Sequence, residues 1–255
     1  MTSEHRERII DQFTRQAEPF ATAAAIRDQE FLDRIVRMAE TDSADTVLDV
    51  ACGPGLLACA FARAAEHATG IDVTPAMLVQ AMALQAEQGL QNVTWVQGDV
   101  LPLPYADASF SIVTARYAFH HFLDPLAVLK EMRRVCQPGG RVVVADSAPA
   151  AEKADAFNEM ERLRDPSHVR AMPPEELRAL FASAGIPEPR MESYSMEAEL
   201  EGLLQRSFPE AGNAERIRKM FEDSVADDGL GMATRRKNGR ILFAYPIAIL
   251  ASRLV

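Results

Sequence analysis

The chain is short of cysteine, has a single tryptophan, lacks any long apolar run and has too few basic residues to balance its acidic ones. Cys52, Cys59 and Cys136 are odd in number and not closely spaced, which excludes a disulfide scaffold and points to a reducing compartment. No CxxC, HExxH or Cys/His cluster occurs, so no metal site is expected. The longest uncharged apolar stretch, Ile241 to Ser252, is interrupted by Pro246 and falls short of the about 20 residues a membrane span needs. Met1 to Asp11 is charged and lacks the apolar centre of a signal peptide. A cytoplasmic protein is therefore expected. With 27 Lys plus Arg against 37 Asp plus Glu, the net charge is −10, which disfavours nucleic acid as the main partner.

What is present suits a globular fold. Hydrophobic residues make up 48 % and charged residues 25 %, too apolar for disorder. A chain of 255 residues buries about three quarters of its unfolded surface and needs no covalent staple. α/β chains of this length often form one unit, and no internal repeat divides it.

From Asp45 to Ser147 short β-rich runs alternate with helical ones. Strands are expected over Thr46–Ala51, Thr69–Val73, Val93–Val96, Phe110–Ala115 and Arg141–Asp146, each rich in Val and Ile or bounded by turn residues. Helices are expected over Leu56–Glu66, Pro75–Gln88 and Pro125–Cys136, the last two opened by Thr74 and Asp124 as caps before a proline. Repeated β-α units predict a parallel sheet with right-handed crossovers and helices on both faces. Residues 5–40 read as two helices, the second over Ala25–Glu40, and Pro174–Ala184 as an amphipathic helix stopped by Gly185. Lys237-Asn238-Gly239 reads as a hairpin turn before a final strand, Arg240–Leu254, in which Pro246 predicts an edge position or a bulge.

Chemistry in such a sheet belongs at the carboxyl ends of the strands. Asp49-Val50-Ala51-Cys52-Gly53-Pro54-Gly55 follows the first strand, and its glycines allow a ligand close to the backbone. The A-x-G-x-G spacing matches neither the dinucleotide fingerprint nor a Walker loop. Asp72 ends the second strand, where a carboxylate can accept hydrogen bonds from two ribose hydroxyls; a plain helix cap is the alternative. Asp99, in Gly98-Asp99-Val100 after the third strand, can accept from an adenine amino group or be an ordinary loop residue.

Taken together, these segments resemble class I S-adenosylmethionine-dependent methyltransferases, in the branch that includes the ubiquinone and menaquinone biosynthesis enzymes. The resemblance runs from Val47-Leu48-Asp49 through Gly53-Pro54-Gly55, Gly70-Ile71-Asp72, Gly98-Asp99 and Phe110-Ser111-Ile112-Val113. It continues through Leu123-Asp124-Pro125 and Glu131-Met132-Arg133-Arg134-Val135 to Pro138-Gly139-Gly140, covering about residues 10–190. Ala51 stands where the family usually has glycine. The resemblance implies a doubly wound, mostly parallel seven-stranded α/β sheet with S-adenosylmethionine as cofactor. It implies that Ala51, Gly53 and Gly55 meet the methionine part, Asp72 the ribose, Val73, Met77 and Val100 the adenine surroundings, and Asp99 the adenine amino group. Asp49 would orient the loop and the cofactor ammonium, and Arg116 would border the same site. The family's N-terminal helix closes over the cofactor, so Phe13, Gln16 and Phe20 are lid residues in this reading, or ordinary packing ones. Residues 1–40 become a lid, 45–147 the cofactor-binding core, 148–239 an acceptor-side cap and 240–255 the last strand.

Arg116-Tyr117-Ala118-Phe119-His120-His121-Phe122 follows the fourth strand, where an acceptor would approach. On an α-helix His120 and His121 point apart, so only one should enter the site. The resemblance puts the family's substrate-facing position at His120, which makes it the expected base, with Arg116 and Tyr117 as further catalytic candidates and His121 the expected packing residue or a substrate contact. Arg164 and His168, in the cluster Arg162 to Arg170, would grip an anionic or phenolic acceptor, or belong to a surface ion-pair network. The expected acceptor is a small molecule methylated on O, N or C. A nucleic-acid methyltransferase is the alternative, disfavoured by charge and by the lack of an [ND]-P-P-[YF] segment; a non-transferring S-adenosylmethionine-binding protein is the third reading.

Overall fold

The computed structural model describes residues 3–23 and 25–255; the first two residues of the expected lid, and Ala24, lie outside them. Eight strands form one sheet: Thr46–Val50 (β1), His67–Asp72 (β2), Val93–Gln97 (β3), Phe110–Arg116 (β4), Cys136–Ser147 (β5), Arg190–Glu199 (β6), Arg235–Lys237 (β7) and Arg240–Arg253 (β8). Seven of them run β3-β2-β1-β4-β5-β8-β6, and the three-residue β7 adds to β8 as the first arm of the Lys237-Asn238-Gly239 hairpin. β3 through β5 pair in parallel, and β8 is antiparallel to both of its long neighbours. The strand order reverses between β1 and β4, which opens a crevice at their carboxyl ends.

The strands alternate between two cores. Val47, Val143, Ala145, Ile249 and Ala251 face one side, while Leu48, Val50, Val142, Val144 and Leu250 face the other. Both faces are covered, as a parallel sheet requires. Gln29–Met38 (α2) and Leu56–Ala62 (α3) pack on the first face, and every residue of α3 is buried. Pro125–Val135 (α5) and Pro174–Ser183 (α7) cover the second through Val128, Leu129, Met132, Leu177 and Phe181. Pro75–Gln88 (α4) lies between β2 and β3 in the chain. Ser3–Thr22 (α1) packs on α4 and on Leu200–Ser207 (α8), while Ala154–Arg164 (α6) and Asn213–Asp227 (α9) pack together. No described helix is long and apolar enough to cross a membrane.

Three local expectations change. The second helix starts at Gln29, because Asp28 caps it by accepting from the N–H groups of Glu30 and Phe31. Thr74 stands at the N-cap of α4, yet its hydroxyl makes no capping bond; Asp72 Oδ1 accepts the Thr74 N–H instead. Pro246 is neither at an edge nor in a bulge, since β8 lies between β5 and β6. Its carbonyl accepts from Ala148 N just beyond the last β5 pair, Ser147 with Ile247. The missing N–H faces that same side, so the reciprocal bond to Ala148 cannot form and the β5–β8 ladder stops at Ser147–Ile247, while pairing with β6 runs on past Pro246.

Candidate functional site

The chain after β1 turns sharply, with positive φ at Ala51, Gly53 and Gly55. A Cβ on Gly53 would meet nothing within 4 Å, so open space lies over that residue. Gly55 serves packing instead. Its φ is 78°, and an added Cβ would press into the Trp95 ring and sit 2.9 Å from Ala81 Cβ. Asp72 reaches back from β2 to the turn: its Oδ2 accepts from Gly53 N and its Oδ1 from Thr74 N, both at 2.8 Å. Asp49 Oδ2 accepts from Ala58 N at 3.1 Å, while its Oδ1 is buried with no partner.

Asp49, Gly53 and Asp72 line a first cavity of about 790 Å³ including its mouth, together with Ala51, Val73, Met77, Asp99, Val100 and Arg116, and with Phe13 and Phe20 of α1. Burial pushes the Asp49 carboxyl up to about 7, against the pull of the Arg116 charge. Burial also raises Asp72, opposed by the N–H groups of Thr74 and Gly53. Arg116 is pulled below its ordinary value by burial, and its Nη1 donates to Ile26 O. Asp99 Oδ1 accepts from Leu101 N, and its Oδ2 lies 3.9 Å from Arg6 Nε.

A second cavity, about 830 Å³ including its mouth, adjoins the first. Phe13, Phe20, Tyr117 and His121 line both. It is lined by His120 and Tyr117, by Glu161, Arg164, Asp165 and Tyr245, and by Leu203, Arg206 and Ser207 of α8. Asp146, at the end of β5, is 1 % exposed. Its Oδ1 accepts from His120 Nδ1 at 2.5 Å, and its Oδ2 takes the N–H groups of Phe119 and His120. Burial opposes charge on His120, but the Asp146 carboxylate and its hydrogen bond outweigh it and raise the histidine pKa. His121 is pushed down to about 4 by burial and by the neighbouring His120, despite Asp165 and the bond from Nδ1 to Ser167 O.

A methyltransferase domain model matches residues 48–144. The uncharacterised methyltransferase YcgJ of Bacillus subtilis is 32 % identical over 207 residues, 80 % of this chain and 82 % of that protein. The crystal structure of YcgJ superposes with a TM-score of 0.79, covering 88 % of this chain and 98 % of that one at 27 % identity. The chain belongs to the class I S-adenosylmethionine-dependent methyltransferases. Within them, the ubiquinone/menaquinone biosynthesis C-methyltransferase UbiE of Bdellovibrio bacteriovorus is 37 % identical over 115 residues, 44 % of this chain and 48 % of that protein.

The methyltransferase core suits its cofactor. The orphaned Asp49 Oδ1 and Thr74 Oγ1, together with the open space over Gly53, are polar atoms and room that a charged, hydroxyl-bearing ligand satisfies. Several predicted residues are placed otherwise than expected. Gly55 supports the Trp95 ring and does not line the first cavity. Gln16 lines the second cavity, not the first, and donates to Ser207 O at 3.2 Å. Both histidines line the second cavity, because Phe119–His121 forms a 3-10 turn with ring centroids 4.2 Å apart. Tyr117 is in the left-handed region, φ 55°, with its ring 5.7 Å from Phe31 and its hydroxyl 3.5 Å from Met196 Sδ. Burial raises that phenol far above its usual value, so it does not ionise. Arg164 is already bound to Glu161, and His168 borders neither cavity: its Nε2 meets Asn158 Oδ1 at 2.7 Å. Asp146 and Arg206 were missed. The signal available for Asp146 was its place at the carboxyl end of β5; Arg206 gave none, since helix α8 has no motif.

Proposed function

We propose that this methyltransferase acts on a hydroxyl-bearing small molecule, a phenol or enol, seated in the second cavity, with His120 as the base. The observation that carries the reading is the buried His120–Asp146 pair in the wall of a cavity that adjoins the first. Residues 1–40 act as the lid and 148–239 as the acceptor-side cover, because α1, α6 and α8 supply much of that cavity's lining.

In this reading Ala51 and Gly53 present their backbone to the methionine part of S-adenosylmethionine, and Asp49 Oδ1 takes its ammonium directly or through water. Asp72 accepts the ribose hydroxyls on its remaining lone pairs, Val73, Met77 and Val100 enclose the adenine, and Asp99 accepts from its amino group. When bound, S-adenosylmethionine supplies a methyl group made electrophilic by a positively charged sulfur. His120 Nδ1–H stays on Asp146, so Nε2 is the free nitrogen and takes the acceptor's O–H proton. The acceptor oxygen, or a ring carbon conjugated with it, keeps the electron pair and becomes the nucleophile. Asp146 stabilises the imidazolium that results. Phe13, Phe20 and Tyr117 keep the shared boundary of the two cavities apolar and exclude water.

The UbiE relative is by name a C-methyltransferase of quinone biosynthesis, and the −10 charge favours a small acceptor over nucleic acid. The test is release of the homocysteine product against a panel of phenols, amines and nucleic acids. Turnover confined to hydroxylated acceptors and lost in His120→Gln, with cofactor affinity kept, supports the reading. Turnover on amines or nucleic acid, or a His120→Gln enzyme of full activity, overturns it.

A further inference from the structure

Every charged group of the second cavity except one has a hydrogen-bond or ion-pair partner among the described residues. Glu161 Oε2 accepts from Arg164 Nε and Nη2, and its Oε1 accepts from Tyr245 Oη at 2.9 Å. Asp165 Oδ1 accepts from Ser167 N and Oγ, and its Oδ2 lies 3.8 Å from Arg164. His120 is held by Asp146, and Gln16 by Ser207 O. Arg206 lines the same cavity and makes no hydrogen bond or ion pair to any described residue. Its five N–H donors have no acceptor among the described residues.

The position of Arg206 is built. It stands in the last turn of α8, on one face with Leu203 and Ser207, which also line the cavity. Gly202, one turn earlier, leaves room for the guanidinium: a Cβ there would lie 3.0 Å from Arg206 Nη1. The helix itself is fixed from α1, since Gln12 and Gln16 both donate to Ser207 O. The Arg206 charge reaches into the cavity wall, where it acts on the Tyr245 phenol. The same cavity also has apolar lining from Ala198, Met196, Ile26 and Phe20.

We propose that Arg206 binds an anionic substituent of the acceptor, so that the substrate class is an apolar hydroxy-carboxylate. This rests on the proposed function: the hydroxyl goes to His120 and the carboxylate to Arg206, at different walls of one cavity. A planar guanidinium fork matches a carboxylate with two parallel bonds. A single guanidinium without a bonded partner suits a monoanion; a phosphate dianion would bring a second negative charge into a cavity that already holds the Glu161 and Asp165 carboxylates. Arg164 is not the gripping residue, because its charge is paired with Glu161 and Asp165 and its Nη1 donates to Ser207 Oγ.

The test uses 6-hydroxy-2-naphthoate and its neutral carboxamide as probes, measured by calorimetry on the full chain saturated with S-adenosylhomocysteine. The naphthoate should bind the wild type about tenfold tighter than the amide or better, the scale of a charge-assisted contact. Arg206→Gln should abolish that preference, Arg206→Lys should retain part of it, and S-adenosylhomocysteine affinity should not change in either. Unchanged S-adenosylhomocysteine binding also reports that the variants are folded. Equal wild-type affinity for the two probes, absence of binding included, overturns the proposal, as does a preference that survives Arg206→Gln. Arg206-dependent binding without His120-dependent turnover overturns the general-base reading while leaving the anion site standing.

Discussion

Asp146 holds His120 at two points: Oδ1 lies 2.5 Å from the Nδ1 of the ring and Oδ2 3.3 Å from the backbone nitrogen. One carboxylate thus sets both the ring's tautomer and the path of the chain that carries it, since the same Oδ2 also takes Phe119 N. The pairing lies at the carboxyl ends of β4 and β5, where the sheet opens to the site.

Replacing Asp146 by Asn removes the charge that raises His120 and leaves burial to lower it. The acidic limb of the kcat profile should move to lower pH, and kcat should fall about 100-fold or more, the range of general-base contributions. Cofactor affinity should be kept. A pH–rate profile against the best phenolic acceptor checks this, and a limb that stays in place would exclude the pair as the titrating unit.

Asp49 predicts a proton linked to cofactor binding. With its carboxyl at about 7 and Oδ1 unpartnered, it is largely neutral at pH 6, and an incoming ammonium favours the ionised form. Binding at pH 6 should release a proton, and affinity should rise with pH up to about 7 and then level. Because the folded value lies above the unfolded one, Asp49 stabilises the unliganded fold below pH about 4, and this contribution is lost as pH rises through about 7. Calorimetry of S-adenosylhomocysteine in buffers of different ionisation enthalpy measures the proton; Asp49→Asn should show none.

Gln16 lines the second cavity and ties α1 to α8. Gln16→Ala loosens α8 at Ser207 O and should raise the acceptor KM severalfold with little effect on S-adenosylmethionine Kd. The reverse pattern would return Gln16 to the cofactor side.

Gly55→Ala should destabilise by about 2–4 kcal/mol, combining a left-handed backbone with overpacking against Trp95. The urea midpoint and the Trp95 emission maximum report both. A loss below about 1 kcal/mol would mean that the Trp95 ring yields freely.

The strand-end groups of the core were legible because their signals are local. Asp49, Asp72 and Asp99 each close a β-rich run, and the left-handed turn at Gly53 is a property of neighbours in sequence. The helix α4 was read over its full length, Pro75–Gln88, with its start marked by Thr74 before a proline. Legibility failed where a distant group decides the local form. Two histidines on an α-helix would diverge, but Asp146 captures Phe119 N and His120 N, tightens the segment to a 3-10 turn and turns both rings to one cavity. Strand β6 was unread because its pattern is mostly exposed and polar, and it is a strand by virtue of its long ladder with β8.

The sequence by itself thus determined the α/β class, the cofactor and the residues at the ends of β1, β2 and β3, since periodicity, turns and strand-end carboxylates act over a few residues. The tertiary structure alone decided what lines the second cavity: Asp146 bonded to His120, Ser207 to Gln16, Arg164 to Glu161, and Arg206 without a bonded partner among the described residues. Those relations join segments between 26 and 191 residues apart, or turn on which charge is already neutralised. Hydrogen bonds and ion pairs of that kind exist only once packing has brought the partners together and removed water from between them.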